Sequence, residues 1–154
     1  MAPTARPRAS KVRRVVVERV EDAPAVELPM RATEGSACFD LRAAESVDLV
    51  VGQVRLVRTG LRMTAPEGTF LEVRPRSGLA SKGVLMVNAP GTIDRDYSGE
   101  VKVPLTYLFP GTYRVEVGDR IGQIRVVEEV PTEFVPGRVE RSPSRVGGFG
   151  STGR

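Results

Sequence analysis

Short valine-rich runs, each cut off by glycine, proline or aspartate, recur along almost the whole chain and constrain its fold more than any other feature. They occupy residues 12–20, 47–51, 54–63, 69–74, 84–87, 100–108, 113–117 and 120–130. Runs of this length, rich in β-branched residues and bounded by turn formers, read as strands. No segment holds a sustained 3.6-residue apolar period, and only residues 77–82, after Pro75, suit a helical turn or two. Many short strands with close turns predict an all-β fold, an antiparallel jelly-roll-like barrel or sandwich with at most one short helix.

The two ends depart from this pattern. Residues 1–11 hold Pro, Ala, Arg and Ser without an apolar stretch, so they lack the core of a secretory signal and are expected to form a disordered basic arm. Residues 141–154, RSPSRVGGFGSTGR, contain four glycines and little apolar mass, and are expected to form a mobile arm. Residues 12–140 are then a single β domain, in keeping with a length of 154 residues.

Composition removes several classes of chemistry. The chain has no histidine, so it can hold neither a Ser-His-Asp triad, nor a Cys-His dyad, nor a histidine-ligated metal. Its one cysteine, Cys38, excludes an intrachain disulfide framework and fits a reducing, cytoplasmic setting. No run approaches the roughly 18 apolar residues of a membrane helix. What remains is chemistry by carboxylates, Lys, Arg, hydroxyls and a hard cation bound through oxygen, which points to magnesium. The net charge of +4 is mild, and much of the excess sits at the ends, in Arg6, Arg8, Lys11, Arg13 and Arg14, and in Arg138, Arg141, Arg145 and Arg154.

Four separated segments join glycine to hydroxyl, arginine or carboxylate side chains: Pro75-Arg76-Ser77-Gly78-Leu79-Ala80, Gly91-Thr92-Ile93-Asp94, Gly118-Asp119-Arg120-Ile121-Gly122-Gln123, and Arg145 to Gly153. Glycine lets backbone N–H groups approach an anion, and arginine offers a bidentate fork for phosphate. One such segment is an ordinary hairpin turn. Four of them in one small chain suggest a polyphosphate site.

With Ala37-Cys38-Phe39-Asp40-Leu41 ahead of them, and with the third segment extended from Val87-Asn88-Ala89-Pro90 through Tyr97 to Gly99-Glu100, these make five motifs in order, and the chain resembles the trimeric deoxyuridine triphosphatase family from about Leu28 to Gly153. Three positions depart from the family pattern. Cys38 stands where Gly is usual, the loop from Lys82 to Asn88 is one residue shorter, and Tyr107 replaces a common Asn. The expected effects are on the turn that aims Asp40, on the wall behind the base pocket, and on subunit packing.

The resemblance implies a magnesium-dependent hydrolysis of dUTP to dUMP and pyrophosphate, which supplies dUMP for thymidylate synthesis and keeps uracil out of DNA. It implies that Asp94 orients and deprotonates a water for attack on the α-phosphorus, and that Asp40 holds Mg2+ through the ion's water shell. Arg76, Ser77, Gly78 and Gln123 would bind phosphates, with Asp119 and Arg120 holding the site from behind. Asn88, Gly91, Thr92 and Ile93 would read the uracil edge beside Lys102, and Tyr97 would exclude a 2′-hydroxyl. Arg145, Phe149, Gly150, Ser151 and Thr152 would close over the substrate, with Phe149 stacked on the base. The resemblance further implies a homotrimer with shared sites, and no membrane or stable nucleic-acid partner is expected.

Two other readings compete. A dCTP deaminase shares this scaffold but needs a catalytic Glu after the third motif, and Pro104 stands at that place. A non-catalytic nucleotide-binding or nucleic-acid-binding module would suit the basic ends and a pI near 9.7, yet such a module has no use for both Asp40 and Asp94.

Overall fold

The structure is a computed structural model and describes residues 12–140; both expected arms lie outside the described residues. Ten strands and one helix follow in the order β1 (Val16–Arg19), β2 (Phe39–Arg42), β3 (Val47–Val50), β4 (Arg55–Thr64), β5 (Thr69–Arg74), α1 (Ser77–Ala80), β6 (Val84–Met86), β7 (Gly91–Ile93), β8 (Glu100–Tyr107), β9 (Thr112–Val115) and β10 (Arg120–Glu128). They form two four-stranded sheets, β1-β4-β8-β6 and β2-β10-β5-β7, and a two-stranded sheet, β3-β9. All of the pairings between these strands are antiparallel. The all-β expectation holds, and the helix is a single turn.

The inner faces of the sheets meet in one core. Val57 and Leu61 from β4, Val103 and Leu105 from β8, Leu71 from β5, Leu41 from β2, Ile121 from β10 and Leu49 from β3 are all essentially inaccessible. Burying each such side chain contributes about 1.5–3 kcal/mol, which makes this shared core the main source of cohesion. Two threonines are also buried, and each is satisfied: Thr59 donates to the Val101 carbonyl at 2.6 Å and Thr69 to the Pro66 carbonyl at 2.6 Å.

Two irregularities in the strands decide which side chains face outward. On β4, Arg58 lies opposite Lys102 and Arg62 opposite Glu100, so four steps along β4 match two along β8. An even insertion leaves the alternation unbroken, and Val57, Thr59, Leu61 and Met63 all stay inside. On β10, Arg120 lies opposite Arg42 and Gly122 opposite Leu41, so one residue is extra. An odd insertion reverses the alternation: Ile121 points inward ahead of the bulge, and Gly122 and Ile124 do so after it. Gln123 is thereby moved to the face opposite Ile121, although simple period-two reading places both on one side.

Several strands differ from those read in the sequence. Only Val16–Arg19 of residues 12–20 pairs, against Leu61–Thr64 of β4, because a strand requires a partner of matching length. Strands β2 and β7 were missed: FDLR is short and half charged, and GTI begins on glycine, so neither shows β-propensity by itself. Strand β10 ends at Glu128, and residues 129–140 have no regular structure, with Phe134, Val135 and Val139 strongly exposed.

Candidate active site

The residues singled out in the sequence, where described, fall into two cavities. The first, about 480 Å³, contains Asn88, Gly91, Thr92, Ile93, Asp94, Tyr97 and Lys102. The second, about 270 Å³, contains Asp40, Arg76, Ser77, Gly78 and Gln123. Arg145, Phe149, Gly150, Ser151 and Thr152 lie outside the described residues.

The first cavity lies between β7 and β8. Strand β7 pairs with β5 through Leu71↔Ile93, Glu72↔Thr92 and Val73↔Gly91, which brings Val73 into the wall. Met86, Leu56 and Pro104 add further apolar surface that the sequence did not announce, since each belongs to an ordinary strand run. Gly91 is closely packed: a Cβ there would lie 3.0 Å from Met86 Cε and 3.1 Å from Asn88 Nδ2, so either side chain would have to shift to admit it. Beyond β7 the chain turns, with the Tyr97 N–H donating to the Asp94 carbonyl at 3.1 Å. The Tyr97 hydroxyl donates to the Glu100 carbonyl at 3.1 Å, and its ring covers Gly99, where any Cβ would collide with it. Tyr97 is 46% exposed and faces the cavity rather than the core.

The second cavity is set by register. Asp40 on β2, Gln123 on β10 and Arg74 on β5 lie side by side, and residues directly opposite in a sheet project to the same face. The β10 bulge is what places Gln123 in this row. Its amide donates to the Pro75 carbonyl at 2.8 Å, tying the fourth motif to the second and leaving its other N–H for a ligand. Asp40 sits between two guanidiniums, with Arg76 Nε 3.1 Å from Oδ1 and Arg120 Nη1 3.3 Å from Oδ2. Arg120 thus holds Asp40 from outside the cavity lining, whereas Asp119 closes the β9–β10 turn by accepting the Glu116 N–H at 3.0 Å.

Arg76 caps helix α1 with its carbonyl, which accepts from Leu79 and Ala80, so the N–H groups of Ser77 and Gly78 have no intrahelical acceptor. A Cβ at Gly78 would meet nothing within 4 Å, so no packing within the chain demands glycine there; a ligand approaching the backbone would.

The site residues fit magnesium in one specific way. Among the described residues no cluster of three or more Cys, Asp or Glu side chains exists to cage a metal. Asp40 alone lies at the edge of a phosphate-suited cavity, which fits an ion that keeps most of its waters and is held by one carboxylate together with substrate phosphates.

The family departures can now be placed. Cys38, half-buried with a free thiol, forms part of the wall of the second cavity. The shortened loop contributes Met86 and Asn88 to the wall of the first. Tyr107, expected to act in subunit packing, is engaged in its own chain, with its ring centroid 5.8 Å from those of both Phe109 and Tyr113.

The antiparallel β fold thus carries one largely apolar cavity around Asn88, Asp94 and Tyr97 and a second, more polar one around Asp40, Arg76 and Gln123. A family model described as dUTPase matches residues 25–153. The deoxyuridine 5'-triphosphate nucleotidohydrolase of Anaeromyxobacter sp. (strain Fw109-5) is 49% identical over 146 residues, covering 94% of this chain and 97% of that protein. A dUTPase variant of Staphylococcus bacteriophage 80alpha, solved with dUpNHpp, superposes with a TM-score of 0.75 at 24% identity, covering 91% of this chain and 98% of the other. A dUTPase variant of phage phi11 of S. aureus, in which the coordination of a structural Mg(II) ion was described, gives a TM-score of 0.73 at 20% identity over 84% of this chain and 99% of the other. The chain belongs to the dUTPase family.

Proposed function

We propose that this enzyme hydrolyses dUTP to dUMP and pyrophosphate, with magnesium, as a homotrimer whose active sites are shared between subunits. The observation that carries this reading is the division of the site. The carboxylate suited to activating water, Asp94, and the cradle suited to phosphate, around Arg76 and Ser77, occupy separate cavities of one chain. Each cavity alone is half a site. A second copy that brings its Arg76 cradle against Asp94 completes it, and exposed Phe134, Val135 and Val139 supply apolar surface for such contacts.

In the assembled site Asp94 orients a water toward the α-phosphorus and takes its proton. Arg76, the N–H groups of Ser77 and Gly78, and Gln123 bind phosphate oxygens and hold the chain of phosphorus atoms in line. Asp40 would hold Mg2+ through the ion's water shell, and the ion when bound would supply charge neutralisation on the phosphates. Asn88 and the β7 main chain meet the uracil edge, Lys102 lies nearby, and Tyr97 presents its ring to the sugar where a 2′-hydroxyl would clash. Arg145, Phe149, Gly150, Ser151 and Thr152 close over the triphosphate and the base, and removing everything from Arg145 onward leaves the β domain folded but takes most of the turnover. The partner is dUTP, with no membrane or stable nucleic-acid partner, and the free Cys38 thiol suits action in the cytoplasm.

Deamination of dCTP finds no support in the first cavity. Pro104 lines it where a catalytic Glu is needed, and the Glu100 carboxylate is occupied by Arg58 and by the Gly60 N–H. Pyrophosphate release from dUTP, dCTP, dTTP and UTP, with and without magnesium, alongside a light-scattering mass, tests the whole reading. Release confined to dUTP, dependent on magnesium and made by a trimer, is expected. Ammonia from dCTP, or an active monomer, overturns it.

A further inference from the structure

Glu100 lines the first cavity, but its carboxylate faces away from any ligand role. Both oxygens accept from Arg58 Nε, at 3.1 and 2.9 Å, and Oε1 also accepts the Gly60 N–H at 2.9 Å. The side chain is only 11% exposed. Gly60 belongs to the β4 irregularity, with φ of +66° and no room for a Cβ, which would lie 3.0 Å from Ala44 Cβ and 3.1 Å from Ala23 Cβ. Arg58 is held in turn, its N–H donating to Glu45 at 2.8 Å and its Nη2 to Asp22 at 2.7 Å. Meanwhile the main-chain carbonyl of the same Glu100 accepts the Tyr97 hydroxyl, and the Tyr97 N–H is bonded to the Asp94 carbonyl.

We infer that Glu100 is a positioning residue for sugar selection: anchored at the Gly60 bulge through Arg58, it fixes the carbonyl that holds the Tyr97 ring in place against a ribose 2′-hydroxyl. This rests on the reading of Tyr97 as the sugar filter. A ring tethered at its hydroxyl and pressed on Gly99 cannot swing aside for an extra oxygen, whereas an untethered one can. Rejection of a group by sterics is only as good as the stiffness of the wall that excludes it.

The test compares kcat/KM for dUTP and UTP in the wild-type enzyme, Glu100→Gln, Tyr97→Phe and Tyr97→Ala, with thermal midpoints for each. Glu100→Gln removes the charge and puts an amide donor in place of the oxygen that accepts only from Arg58, and should lower the dUTP-to-UTP preference by about fivefold or more. Tyr97→Phe, which removes the tether and keeps the ring, should give a change of similar size, and Tyr97→Ala a larger one. If Glu100→Gln does not fold, Arg58→Lys, which keeps the charge and loses the fork, makes the same comparison. A Glu100→Gln enzyme that melts earlier but keeps its sugar preference, while Tyr97→Ala loses it, overturns the inference and reduces Glu100 to a structural residue. If Tyr97→Ala itself keeps the preference, the sugar-filter reading fails, and this inference with it.

Discussion

Around Asp94 the walls are mainly apolar side chains and the polar atoms are placed by main chain, whereas around Asp40 the walls are mainly small and polar, with Asp40 and Arg76 paired across them. Val73, Met86, Leu56 and Pro104 shape the first cavity, and the tight turn from Asp94 to Tyr97 aims its polar groups. Asp40, Arg76, Arg120 and Gln123 hold the second through ion pairs and a bond to the Pro75 carbonyl. On the proposed function, the difference follows from what each would recognise. A flat base is distinguished by shape and by a few fixed hydrogen bonds, so its cavity must be rigid and prebuilt. Phosphates are bound by charge, and guanidiniums kept on a carboxylate until the ligand arrives are never left unpaired in a low-dielectric setting.

The comparison breaks most severely at Asp94. Asp94→Asn keeps shape and polarity, so both cavities should persist and dUTP should still bind, while turnover falls by on the order of a hundredfold or more. Single-turnover kinetics together with equilibrium binding separate the two effects, and unchanged turnover would remove Asp94 from the reaction.

Arg76→Ala acts on the charged cavity. Losing one charge-assisted contact costs about 1.5–3 kcal/mol of binding, roughly a tenfold to hundredfold weaker affinity. That loss should be the same for every nucleoside triphosphate tested, because phosphates carry no base identity. An Arg76→Ala enzyme with altered base preference would show that the two cavities are not separate in function.

Gly91→Ala acts on the shaped cavity and should do the opposite. The new Cβ presses on the ends of Met86 and Asn88, which can shift, so the protein should fold with nearly its original thermal midpoint. Displacing Asn88 should reduce the preference for dUTP over dCTP by about tenfold, with little change in pyrophosphate affinity. Competition assays with pyrophosphate and dCTP read the two quantities independently.

The smallest effect comes from acid. Hydrogen bonding and attraction from Arg58 hold Asp22 below its ordinary value of 3.8, and the Ser46 hydroxyl, followed by Arg114, holds Glu116 below 4.5. A carboxyl whose folded value is lowered stabilises the fold above its unfolded value, and that contribution is lost as pH falls through the folded one. Thermal midpoints should therefore be flat, as far as these two groups act, from about pH 5 to 8 and decline below about pH 4.5. Both side chains are exposed and their pairs are screened, so the decline should be small. Asp22 supports Arg58 and hence Glu100, so acid should loosen the shaped cavity through this pair. Asp22→Asn and Glu116→Gln together should flatten the slope, and a slope that survives them has another source.

Much of this protein was decided by local sequence. Recurrent Val-rich runs with glycine and proline between them require strands, because β-branched side chains pack on a pleated surface and the punctuation stops any run from becoming long. The absence of histidine confined the chemistry to carboxylates, cations and a hard metal, and the order of motifs carrying Asp40, Arg76, Asp94 and Gln123 carried the family likeness. What the tertiary structure decided was which of these residues meet. Strands β2 and β7 exist only because β10 and β5 supply their hydrogen-bond partners. Gln123 reaches Asp40 and Pro75 because one extra residue at Ile121 reverses the alternation of β10. Glu100, Arg58 and Gly60, bonded to one another beside the Tyr97 turn, come from strands 40 residues apart in sequence and are joined by an insertion in β4 that no local pattern marks. Local sequence sets what each segment prefers, but pairing register is a relation between segments, and it is fixed only when the core they share is closed.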